Sequence, residues 1–258
     1  MALSIPDLAL IFAASVAPPY LYILWLRNAE ICDRESLSSI HQAFTVGAVF
    51  SLGLAFILET LIVTYFLGDG SILPRPFWIL DPDIQLIVLA CVIAPLVEEG
   101  TKGLGVLFFK NKFTELENGF VYGAAIGLGF AAFENILYEA NAYSIGLSIF
   151  IGTAIARALT STALHASSTS ILGFGIVRHG FIQKDGRPAN VLPYYLIAVG
   201  MHSLFNLLAI IGTIMNSELL ALIGLVAGLV LVQQTLRWIR KRIEELDREQ
   251  GCGPYYHA

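Results

Sequence analysis

Charge is scarce in this chain. Asp, Glu, Lys and Arg make up 14% of its 258 residues, where a water-soluble domain carries about 25%. Hydrophobic residues make up 56% and come in blocks, which excludes a soluble globular domain and points to a chain that sits in lipid. Cysteine is scarce too. Cys32, Cys91 and Cys252 are odd in number, far apart and without metal-ligand spacing, so no disulfide framework is expected. No basic patch with interleaved aromatics exists, and nucleic acid is not an expected partner. The first apolar block, Leu8 to Leu26, lacks a basic leader and a small-residue cleavage site. It is expected to be a retained span and not a removed signal peptide.

What is present is a series of apolar blocks, each long enough to cross about 30 Å of hydrocarbon. They lie at roughly 5–26, 44–67, 84–109, 119–139, 146–177, 191–213 and 218–239. The expected fold is all-α, a polytopic membrane bundle of about seven transmembrane helices. Connections are short, so residues 1–240 read as one membrane domain and 241–258 as a short polar tail. The fifth block is over-long and is expected to be tilted, to be broken near Arg157, or to start outside the bilayer. Basic residues set the orientation. With the N-terminus outside and the C-terminus in the cytoplasm, the inner segments hold Arg27, Arg34, Lys110, Lys112, Arg178, Lys184, Arg187 and the cluster Arg237–Arg248, and the outer loops hold only Arg75. That asymmetry is what the positive-inside rule demands.

Against this background the polar residues inside spans stand out. Glu98 and Glu99 sit side by side in the third block with Lys102 one turn on. A carboxylate at bilayer depth costs a few kcal/mol unless it is paired or wetted. Lys102 lies at the i+4 and i+3 spacings that let it meet either acid, but one base needs only one acid, and the spare carboxylate lacks a structural reason. Counted from the inner end of each span at about 1.5 Å per residue, Glu98, His165 and His202 fall near 18–20 Å and Glu134 near 24 Å. Four polar side chains on four helices at similar depth are expected to face one shared interior. His202 and Asn206 share a helix face, and Arg157, Ser161 and His165 form another polar stripe. Gly119, Gly123 and Gly127 read first as a packing face for a neighbouring helix. Arg157 has an equally plain structural reading as the ion-pair partner of Glu59, the lone acid of the second span.

Two acids, two imidazoles and an amide can activate water. A carboxylate beside Lys102 suits a general base, an imidazole can orient the water or protonate a leaving amine, and a second His with Asn206 can donate to an oxyanion. The same side chains also fit a catalytic zinc set, with Glu134, His165 and His202 as ligands and Glu98 as base. No HExxH signature is present, and spacing alone leaves both chemistries open.

The group Glu98-Glu99-x-x-Lys102, the group Phe130-x-x-x-Glu134-Asn135, Arg157 upstream of His165, and His202-x-x-x-Asn206 together resemble the ordered motifs of the PrsW intramembrane proteases. That family is part of the wider superfamily of CAAX-processing and bacteriocin-protection membrane proteases. The resemblance spans about residues 84–210. It implies peptide-bond hydrolysis in a prokaryotic cytoplasmic membrane, with a membrane-anchored protein as substrate (an anti-sigma factor by analogy) and the lipid bilayer as partner. Carried over by position, Glu98, Glu99, Lys102, Glu134, His165, His202 and Asn206 would form the site, with Zn2+ as a possible cofactor held by Glu134, His165 and His202. Two other classes compete. A non-catalytic scaffold of the same superfamily would lack the paired acids, and an ion-coupled transporter would show internal repeats, which are not seen.

Overall fold

The computed structural model describes residues 4–67, 81–184 and 190–249; Arg75, Arg187, Cys252 and His257 lie outside them. The described residues are helical with no strand. Seven helices are long and apolar enough to cross a membrane: α1 (Ile5–Arg27), α2 (Leu37–Tyr65), α3 (Pro82–Leu107), α4 (Asn118–Ile145), α5 (Leu147–Gly180), α6 (Leu192–Ile214) and α7 (Glu218–Glu249). Local chemistry starts them cleanly. Ser4 and Asp7 form a reciprocal capping box at α1, and Asp81 caps α3 ahead of Pro82. Both devices satisfy amides that the first helical turn leaves orphaned.

One helix is central. In α4, 78% of the apolar window is buried, against 22–33% in the other six, so the rest pack around it and turn their remaining apolar surface outward. Phe12, Phe56, Val92, Ile155 and Leu222 are among the large exposed side chains, as a lipid-facing belt requires. The glycines make this centre possible. A Cβ at Gly119, Gly123 or Gly127 would lie 2.6, 2.3 or 2.1 Å from the main-chain oxygen of Gly173, Thr169 or His165. On the other side, a Cβ at Gly129 would lie 1.9 Å from the Phe44 oxygen. Helices α4 and α5 therefore touch backbone to backbone, the close approach that small residues permit in lipid. The packing ladder has a functional consequence, because it fixes the height of His165.

Departures from simple straight spans shape the interior. Helix α5 breaks at Thr160, whose φ and ψ are −117° and −76°, dividing the over-long fifth span just beyond Arg157. A π-helical turn, Leu89–Ile93, precedes Pro95 in α3, where the missing proline amide frees a carbonyl of the preceding turn. The last helix runs on to Glu249, with Ile239, Ile243 and Leu246 buried in the main core beside Ile23, Leu26 and Phe120. Residues 241–249 continue α7 as a helix that packs one apolar face on the core. Cys91 is buried and free, and Cys32 is disulfide-bonded, against the expectation from sequence.

Candidate active site

Lys102 is the hub. It is fully buried, and its ammonium lies 3.1 Å from Glu98 Oε2, 2.9 Å from Glu99 Oε1 and 2.8 Å from His165 Nδ1. The ring of Phe130 covers it, 4.2 Å from Nζ to the centroid. An ammonium has three protons and no lone pair, so all three are used and His165 Nδ1 must accept. The ring proton of His165 then sits on Nε2, which lies 2.9 Å from Glu134 Oε2. One tautomer follows from hydrogen-bond accounting alone.

The adjacent acids differ in surroundings. Glu99 is fully buried and accepts from Lys102, Ser168 Oγ at 3.0 Å and His202 Nδ1 at 3.0 Å through Oε1, and from Thr169 Oγ1 at 3.1 Å through Oε2. It is saturated, and by accepting from Nδ1 it turns His202 Nε2 toward Glu98. Glu98 accepts from Lys102 through Oε2, keeps 11% of its side chain accessible, and lies 3.9 Å from both His202 Nε2 and His165 Nδ1. Adjacent helical positions differ by about 100°, so one acid is anchored in protein while the other faces the interior of the cluster.

Glu134 belongs to a second tier. Its Oε2 takes Arg157 Nη2 at 2.8 Å as well as His165, while Arg157 Nε donates to Asn135 Oδ1 at 2.7 Å and its guanidinium lies 3.9 Å from the Tyr138 ring centroid. Asn135 in turn donates to Thr162 Oγ1 at 3.0 Å. The expected Arg157–Glu59 pair is not formed; Arg157 is held by the two residues that follow one turn above Phe130. An acid that orients a histidine from behind is a recurring arrangement.

The donor atoms of Glu98, His165 and His202 lie within 4.8 Å of one another. Two imidazoles and a carboxylate are a chemically suitable set for a zinc-type ion. The set differs from the one expected from sequence in having Glu98 in place of Glu134, because Glu134 Oε2 already faces His165 and Arg157. Asn206 is not brought to the cluster. Its Nδ2 donates to the Ala90 oxygen at 2.7 Å, in the π-helical turn ahead of Pro95, and so ties α6 to α3. Sequence reasoning passed over Ser168 and Thr169; the hydroxyl run Ser167–Ser170 inside an apolar span was the available signal. An apolar cavity of about 400 Å³ between α3, α5 and α6 reaches Glu99 and Gly100 from the end that carries Lys110, past Leu104, Leu172 and Tyr195.

A family model described as PrsW family intramembrane metalloprotease matches residues 35–233. Protease PrsW of Clostridioides difficile is 27% identical over 205 residues, covering 78% of this chain and 79% of that protein. Protease PrsW of Geobacillus kaustophilus is 30% identical over 196 residues, covering 73% and 77%. Protease PrsW of Bacillus subtilis is 26% identical over 181 residues, covering 69% and 72%. No solved structure matches the chain.

Proposed function

Since the chain belongs to the PrsW family of intramembrane proteases, we propose that it cuts membrane-anchored protein substrates with a water activated by Glu98. It is a multi-pass protein of the prokaryotic cell membrane. The observation that carries the mechanism is the facing pair of Glu98 Oε2 and His202 Nε2, 3.9 Å apart, each backed by a partner that leaves it free to act. Glu98 takes a proton from water as the oxygen attacks the scissile carbonyl carbon. The C–N bond then breaks, and the proton passes from Glu98 or His202 to the leaving amine. Lys102 balances the charge of the two acids, Glu99 orients His202, and Glu134 with Arg157 orients His165. Asn206 serves as a positioning residue through Ala90. Once it takes the proton that Glu98 removes from water, His202 Nε2 can donate to the oxyanion.

The apolar cavity beside Glu99 supports a path for a membrane-embedded substrate segment. Residues 1–240 act as one catalytic unit, with the Lys110 end in the cytoplasm because basic residues gather there. The donor set of Glu98, His165 and His202 favours a second reading, in accord with the family description. Those three would hold a zinc-type ion once Lys102 released His165 Nδ1, the nitrogen that faces Glu98, and the ion would supply Lewis acidity and a more acidic water.

One experiment tests both readings. Purified protein in lipid nanodiscs is assayed on single-span fluorogenic reporter peptides, with Glu98→Gln alongside. Loss of about 10²–10⁴-fold in kcat is expected for removing a general base, with an unchanged unfolding midpoint. Undiminished cleavage removes Glu98 from the mechanism. Activity of wild-type protein that survives a strong chelator supports the water-activating carboxylate, and activity lost to chelator and restored by zinc supports the metal.

A further inference from the structure

With Arg157 taken by Glu134 and Asn135, Glu59 remains in α2 without its expected counter-ion. Its Oε1 is buried and has no hydrogen-bond partner among the described residues. Its height matches that of the active site. Helices α2 and α3 run antiparallel and meet where a Cβ at Gly105 would lie 2.7 Å from Ser51 Oγ. From that contact Glu59 is about 12 Å along α2 and Glu98 about 10 Å back along α3. Phe56 and Ile57, just before Glu59, are exposed on the lipid side, while Glu59 itself is half-buried.

An unpartnered acid at this depth is costly, so a donor that arrives with the substrate explains its presence. In hydrocarbon every main-chain N–H needs an acceptor, and a membrane helix must unwind locally to expose a peptide bond to attack. Three other acceptors in the site are engaged: Glu99 holds four donors, Glu134 Oε2 holds His165 and Arg157, and Glu98 Oε2 holds Lys102. We propose that Glu59 Oε1 accepts a main-chain N–H of the extended substrate strand flanking the scissile bond. This makes α2 one wall of the substrate channel, and it rests on the peptidase reading above.

The test uses full-length protein in nanodiscs and single-span reporters that wild-type cuts and Glu98→Gln does not. Glu59→Gln keeps a carbonyl acceptor and should leave KM within about threefold, whereas Glu59→Leu removes it and should raise KM about tenfold with kcat little changed. Uncut reporter should bind about tenfold more weakly to Glu98→Gln/Glu59→Leu than to Glu98→Gln, read by fluorescence anisotropy. Reporters N-methylated one amide at a time provide a measurement that needs no Glu59 variant. One position near the scissile bond should lose about tenfold in KM with wild-type protein. If Glu59→Leu folds, that position should lose little more in it. An unchanged KM in Glu59→Leu, equal losses in Glu59→Gln and Glu59→Leu, or an N-methyl scan with no sensitive amide overturns the inference while leaving the peptidase intact. Reporters that wild-type protein neither cuts nor binds overturn the peptidase reading, and this inference with it.

Discussion

Among the described residues, two clusters of buried carboxyls are held by different means. In the mid-span cluster Glu98, Glu99 and Glu134 meet fixed cations, with Lys102 and Arg157 at 2.8–3.1 Å. At the Lys110 end, Glu30, Glu117 and Asp247 are also almost fully buried, but the partners are of another kind. Asp247 accepts from the Ile31 and Cys32 amides, Glu30 accepts from the Glu35 amide, and Glu35 accepts from Tyr122 and Asn118. Glu115, Glu117 and Asp247 bring carboxylate oxygens within 4.8 Å of one another. Burial pushes Glu30 up to about 8, and burial together with the neighbouring Asp247 and Glu115 carboxyls pushes Glu117 up to about 8. Carboxyls are met by fixed cations where lipid surrounds the protein, and by amides, hydroxyls and one another where loops meet water.

The largest contrast comes from removing a cation. Lys102→Met leaves two buried carboxylates without the ammonium that both share, and breaking a buried pair from one side costs about 3–5 kcal/mol. Lys112→Met at the Lys110 end removes an exposed lysine that donates to Ser39 at 2.7 Å and should cost no more than about 0.5 kcal/mol. Unfolding midpoints in a common detergent measure both. Equal shifts for the two variants would erase the distinction between the clusters.

The sequence made the first of these clusters visible and hid the second. Acids in an apolar span are conspicuous because lipid penalises them, so Glu98, Glu99, Lys102 and Glu134 could be singled out from depth and helical spacing. The Lys102 contacts are local, at i+3 and i+4, and therefore readable. The partners of Arg157 and Asn206 were not, because each choice depends on how helices from distant parts of the chain rotate against one another. Glu59 was an equally good partner for Arg157 on sequence alone. The anchoring of Glu99 by Ser168 and Thr169 was missed because a hydroxyl in a span is usually a packing residue. The acids at the Lys110 end were missed since Glu30, Glu115 and Glu117 lie between spans, where an acid is expected to be solvated. Long-range packing, with Glu115 and Glu117 brought against Asp247 of α7, takes them out of water. The seven crossings themselves were legible from length and hydropathy, and the break at Thr160 from the excess length of the fifth block.

A middle-sized effect sharpens the comparison by pH. Glu30 and Glu117 have folded-state values raised above the ordinary glutamate value of 4.5, so the folded chain binds more protons than the unfolded one. Their stabilisation is complete below about pH 4.5 and is lost as pH rises through about 8. Each group should contribute about 1–2 kcal/mol, well under the full linkage value, because the protein relaxes and water penetrates when such a buried group ionises. The unfolding midpoint should therefore fall between pH 6 and pH 9. Glu117→Gln, which mimics the protonated form, should flatten that slope. A wild-type midpoint that climbs over this range would contradict the assignment.

The smallest effects separate anchoring from function. Ser168→Ala removes one of the four groups that donate to Glu99, and Tyr122→Phe removes the 2.6 Å hydrogen bond to Glu35. Each loses one hydrogen bond to a carboxylate, so each should cost about 1–2 kcal/mol of stability. Their catalytic consequences should diverge. Glu99 holds His202 by its Nδ1, and loosening it lets the Nε2 that faces Glu98 wander, so Ser168→Ala should lower kcat about tenfold. Glu35 touches nothing in the mid-span cluster, and Tyr122→Phe should leave kcat within about twofold at matched folded fraction. A kcat in Ser168→Ala equal to that of Tyr122→Phe would show that Glu99 is a structural acid like those at the Lys110 end. Glu98 alone would then distinguish the two clusters.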